Sequence, residues 1–106
     1  MNFQLLKEKL GRGFYVDNLY EMARLCNEKV LENENPTPFF ILQKIFSGIA
    51  DYWDKGPVVV ENARLVQNEL SQHIKSLINA IENHASAEEI VTLTDKVVSS
   101  YKFLFR

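Results

Sequence analysis

Apolar residues recur along this chain at steps of three and four, with polar residues filling the positions between. A helix turns about 100° per residue, so that spacing gathers each apolar set onto one helical face. Phe3, Leu6 and Leu10 share such a face before Gly11-Arg12-Gly13 interrupts it. From about Phe14 to Glu34, Tyr15, Leu19, Met22, Cys26 and Val30 oppose Asp17, Glu21, Arg24, Glu28 and Glu32. That is an amphipathic helix. A Pro-containing run ends it, with Thr37 as the candidate N-cap of the next helix and Pro38 at its first helical position.

The stretch from Pro38 to Pro57 is the most apolar in the chain. Phe39, Leu42, Ile45, Phe46, Ile49, Tyr52 and Trp53 fall on one arc of about half the helix circumference. Gln43, Lys44, Ser47, Asp51, Asp54 and Lys55 line the other side, which excludes a membrane span. So wide an arc predicts a core helix with at least two neighbours and with Trp53 as a core anchor. Phe40 is the exception, lying among the polar positions.

Gly56-Pro57 reads as a short connection, Gly ending one helix and Pro starting the next. A third long helix follows from about Val58 to His84. Its seam is Val59, Ala63, Val66, Leu70, His73, Leu77, Ala80 and His84, broadened by Ile74, Ile78 and Ile81. Ser86 and Glu89 form a capping box opening the last helix, whose face is Ile90, Leu93, Val97, Tyr101 and Leu104. No period-two run suggests a strand. The prediction is an all-α single domain over 1–106. A short N-terminal helix and hinge occupy 1–12, and a four-helix, up-down-up-down antiparallel bundle spans 14–106.

Helix lengths add an expectation about assembly. At 1.5 Å per residue the third long helix would run about 40 Å and its predecessor about 26 Å. The far end of the third helix, paired with the fourth, would then stand uncovered. Leu77, Ile78, Ile81, Ile90 and Val91 lie there, and such a patch predicts a twofold homodimer.

Composition narrows the class. A formal net charge of −2 over 106 residues argues against a general nucleic-acid binder, which carries a basic excess. Cys26 is the sole cysteine, so no intramolecular disulfide forms and a reducing compartment suits the chain. Lys7, Glu8 and Lys9 arrive too early for a secretory signal, and no apolar run is long enough for a membrane helix. A cytoplasmic location is the expectation, with no membrane or nucleic-acid partner.

Candidate chemistry is sparse. Glu69 and His73 stand four apart on one helix and could face one metal, but a catalytic zinc site needs three protein ligands and no second pair lies on an apolar face. The plainer reading is a rim histidine paired with Glu69 or with water. Phosphotransfer domains are also small helical bundles with an exposed His, and their motif resembles His-x-x-Lys-Gly. Here His73-Ile74-Lys75-Ser76 has its Lys one place early and lacks the Gly, so the likeness is of fold only. Cys26 sits mid-face and reads as buried and redox-silent. His84 falls at a helix C-terminus, where its charged form suits the dipole. Gly11-Arg12-Gly13 is a hinge rather than a phosphate loop. The aromatic cluster around Phe39, Phe46 and Trp53 reads first as core and second as a cavity for a small apolar ligand.

No catalytic or cofactor motif emerges, and no cofactor is expected. The leading reading is a non-enzymatic, self-associating interaction or regulatory module. Apolar side chains outside the main faces, namely Leu25, Phe40, Leu65 and Phe103, together with His73, are its candidate partner or ligand contacts.

Overall fold

The computed structural model describes residues 3–32, 35–54 and 63–101. These form helices α1 (Phe3–Arg12), α2 (Val16–Leu31), α3 (Pro36–Asp54), α4 (Ala63–Glu82) and α5 (Ala87–Tyr101), with no strand among the described residues. Contacts divide the chain into two compact units, Met1–Val58 and Val59–Arg106.

In the first unit, α2 and α3 form an antiparallel hairpin and α1 packs on α2. The ends of these helices follow local chemistry. After α1, Gly13 adopts φ 104°, a conformation open mainly to glycine, while its N–H reaches the Leu10 carbonyl at 3.3 Å. Tyr15 is the N-cap of α2, in extended conformation and half-exposed, and not part of the apolar face as expected. Asn35 at φ 46° precedes α3, and the helix begins at Pro36. Thr37 therefore lies inside the first turn and is not the cap. Proline suits the start because the first N–H of a helix has no partner within it.

The core of this unit joins all three helices. Leu6 and Leu10 of α1 are buried, as are Leu19, Met22, Leu25 and Cys26 of α2. From α3 come Phe39, Leu42, Ile45, Phe46, Ile49 and Ala50. The ring of Phe14 meets Phe46 edge-on at 6.3 Å, and Phe3 leans on Phe39 at 6.2 Å. Burying such aromatic side chains contributes about 1.5–3 kcal/mol each. Two expectations fail here. Leu25 is only 4% exposed and belongs to the core, because the buried arc of α2 extends past the Leu19–Met22–Cys26 line. Trp53 is part-buried rather than a core anchor and Tyr52 is half-exposed, since the buried arc of α3 turns through Ala50 instead.

In the second unit, α4 and α5 form a hairpin across residues 83–86. His84 takes φ 56°. Its N–H bonds the Ile81 carbonyl at 3.1 Å, and the Ala85 N–H bonds the Ala80 carbonyl at 2.9 Å. This is the Schellman ending, with histidine where glycine is usual. Ser86 then caps α5, its Oγ accepting from the Glu89 N–H at 3.2 Å. The buried set is Leu70, Ile74, Leu77, Ile78 and Ile81 with Ile90, Thr94, Val97 and Ser100. Buried Thr94 Oγ1 donates to the Ile90 carbonyl at 2.7 Å, so its own helix satisfies it.

The patch expected at the end of this hairpin is not exposed. Leu77, Ile78, Ile81 and Ile90 are buried, leaving Val91 at 59% exposure. The described part of α4 has 20 residues against 19 in α3, and residues 58–62, which the expected length mismatch counted, lie outside the described residues. Gly56-Pro57, Val59, Phe103 and Leu104 lie outside the described residues, as do the side chains of Ala63, Leu65 and Val66.

Candidate functional site

Among the described residues, two surfaces carry chemistry-bearing side chains, one in each unit. On the second unit an open groove of about 540 Å³ is lined by Glu69 and His73 from α4, with Thr92, Asp95, Lys96, Ser99 and Ser100 from α5. Helical spacing explains the lining. Leu70 and Ile74 turn inward, which leaves their predecessors Glu69 and His73 on the rim. Val97 and Thr94 do the same on α5, and Asp95, Lys96 and Ser99 face outward.

The groove brings both signs of charge together without tying them. His73 Nε2 stands 3.9 Å from Glu69 Oε1, beyond hydrogen-bond reach, and the Glu69 side chain is 65% exposed. Glu69 therefore does not orient the imidazole as a catalytic carboxylate would. Among the described residues no group of three or more His, Cys, Asp or Glu is placed to hold a metal ion. The arrangement suits reversible contact with a small polar group. Sequence reading singled out Glu69 and His73 but missed Asp95, Lys96 and Ser99, which only the pairing of α4 with α5 brings opposite them.

On the first unit the contact between Tyr20 and Asp51 marks the exposed side of the α2–α3 hairpin. Tyr20 OH donates to Asp51 Oδ1 at 2.6 Å. Leu31 lies about three turns after Tyr20, and Phe40 the same interval before Asp51. In an antiparallel hairpin this puts Leu31 and Phe40 at one level and on the side marked by Tyr20 and Asp51. Leu31 is 78% exposed and Phe40 50%. The Lys44 ammonium stands 5.4 Å from the Phe40 ring centre. Arg24, on the same stripe of α2, bridges Glu21 at 2.9 Å and Glu28 at 2.7 Å. Its hydrogen bond and charge hold the Glu21 carboxyl below its ordinary range. Phe40 is thus exposed, as its polar setting in the sequence predicted. Leu31 gave no such signal, because its exposure depends on where α2 ends.

The remaining candidates are quieter. Cys26 is fully buried, and burial pushes its thiol up to about 12, so no thiolate forms near neutrality. Phe39 and Phe46 are fully enclosed, and the groove lies elsewhere. No helix among the described residues is long and apolar enough to cross a membrane. No protein family, curated protein or solved structure matches the chain.

Proposed function

We propose that this protein is a small cytosolic helical interaction module in which α2 to α5 make one up-down-up-down bundle, and that it acts by contact rather than by catalysis. The observation that carries the reading is the exposed pair Leu31 and Phe40 at one level of the α2–α3 hairpin. Single exposed apolar residues are ordinary, but two on adjacent helices at one level offer a joint anchor. Lys44 beside Phe40 and Arg24 farther along supply a charged rim. The lone cysteine and the modest acidity suit a cytosolic chain. A photo-crosslinking residue in place of Phe40 tests the reading in the source cells. A discrete adduct is expected, lost when Leu31 becomes Glu.

A second reading rests on the α4–α5 groove. Its His73 and Lys96 with Glu69 and Asp95 favour a small ligand carrying both a positive and a negative group. Chemical-shift mapping with free amino acids would test it. Shifts confined to the groove residues support it, and their absence at millimolar ligand removes it.

A further inference from the structure

Among the described residues, one charged side chain lies where an apolar one would be expected. Lys29 of α2 is 2% exposed and ranks with Phe39 and Phe46 among the largest fully buried side chains. Its ammonium lies 3.1 Å from Glu32 Oε2 and 4.8 Å from the centre of the Phe3 ring, on α1. Glu32 itself stays 45% exposed, so the pair sits at the edge of the core with the α1 ring over it.

Burying an ammonium forfeits hydration, and even a paired buried cation is often no more stabilising than an apolar side chain of similar volume. Docking α1 therefore carries a penalty that a Met or Leu at position 29 would not impose. Against it stand the apolar contacts of Leu6 and Leu10 and the lean of Phe3 on Phe39. Two polar ties stand at the opposite end of α1. Asn18 Nδ2 donates to the Lys9 carbonyl at 2.6 Å and to the Gly13 carbonyl at 2.8 Å. Gly13, at φ 104°, supplies a connection in a conformation that side chains resist.

We propose that α1 is a releasable strap. It lifts from the α2–α3 hairpin in a step of its own, Asn18 holds its hinge end, and Lys29 sets how readily its Phe3 end lets go. Release rehydrates the Lys29 ammonium and uncovers Phe39 beside it. An aromatic ring next to a cation, hidden in the closed form, thereby becomes accessible. The strap does not depend on the Leu31–Phe40 surface and stands or falls separately from it.

Native-state hydrogen exchange on the full chain is the test. Amides of α1 should exchange at least about 10-fold faster than those of Met22–Cys26 and Leu42–Ile49, through an opening that leaves the latter protected. Lys29→Met should slow α1 exchange by about 10-fold and leave α2 and α3 unchanged. Asn18→Ala should speed α1 exchange by about 10-fold, again without exposing α2 and α3. The strap is overturned if α1 exchanges together with α2 and α3, or if Lys29→Met speeds α1 exchange. Should Lys29→Met fail to fold, the wild-type chain and Asn18→Ala decide alone. Loss of α2–α3 protection in Asn18→Ala would show one cooperative unit and no strap.

Discussion

The two helical hairpins use their polar side chains in opposite ways. In α2–α3 with α1, the inward polar groups hold structure together: Asn18 ties the end of α1, and Lys29 is enclosed beneath Phe3. In α4–α5 the buried hydroxyl of Thr94 serves only its own helix, while Glu69, His73, Asp95 and Lys96 line an open groove. The first unit is thus apolar outside at Leu31 and Phe40 and polar at selected points within. Among its described residues, the second keeps its charges in water. A titratable residue in such a small chain is informative only once its partner helix is known.

The sharpest way to break this contrast is to empty the aromatic core of the first unit. Phe46→Ala should cost about 3–5 kcal/mol, because the ring is fully buried and packed by Phe14. Urea unfolding measures it. A loss below about 1 kcal/mol would mean the core is not where the burial places it. Asn18→Ala comes next, at about 1–3 kcal/mol, since it leaves the Lys9 and Gly13 carbonyls without their amide donor. Neutrality in the same assay would remove Asn18 from the structural ties.

The second unit sharpens the contrast in the other direction. His84→Gly should stabilise the protein by up to about 1 kcal/mol, because glycine meets no steric resistance at φ 56°. A rise in the thermal midpoint reads this, and a fall would show that the imidazole makes a contact worth more than the strain.

The smallest effect concerns Cys26. Its ordinary value is 9.0 and burial raises it to about 12. Between those values the folded thiol keeps a proton that the unfolded one sheds, so this group lowers stability as pH rises above about 9. Native thiol labelling should be slow at pH 8 and fast in denaturant. Rapid native labelling would contradict the burial.

Periodicity foretold the helices themselves. The steps Leu19–Met22–Cys26 and Leu42–Ile45–Phe46–Ile49 are all buried, and Ser86 caps α5 as its spacing to Glu89 implied. Ends were less legible: Asn35 and His84 occupy left-handed conformations that neither residue type demands, and Tyr15 caps α2 without a side-chain bond. Least legible were the polar residues turned to structural use. Asn18 and Lys29 lie at positions a helical wheel marks only as polar, and their roles arise from α1, which no local pattern orients. The groove was half legible, through Glu69 and His73, because its other wall belongs to a different helix. The hairpin patch foreseen at Leu77, Ile78 and Ile81 is buried, because a helical wheel shows which residues share a face and not which helix covers it.

The claim that Leu31 and Phe40 form a contact surface has one direct test. A photo-crosslinking residue is placed in turn at position 40 and at Lys75, an exposed site on α4, in the full chain within the source cells. Folding should be unaffected, since surface changes of this kind stay within about 0.5 kcal/mol. A discrete adduct from position 40, absent from position 75 and abolished by Leu31→Glu, is the predicted result. Identical adducts from both positions, or none from position 40, would contradict it.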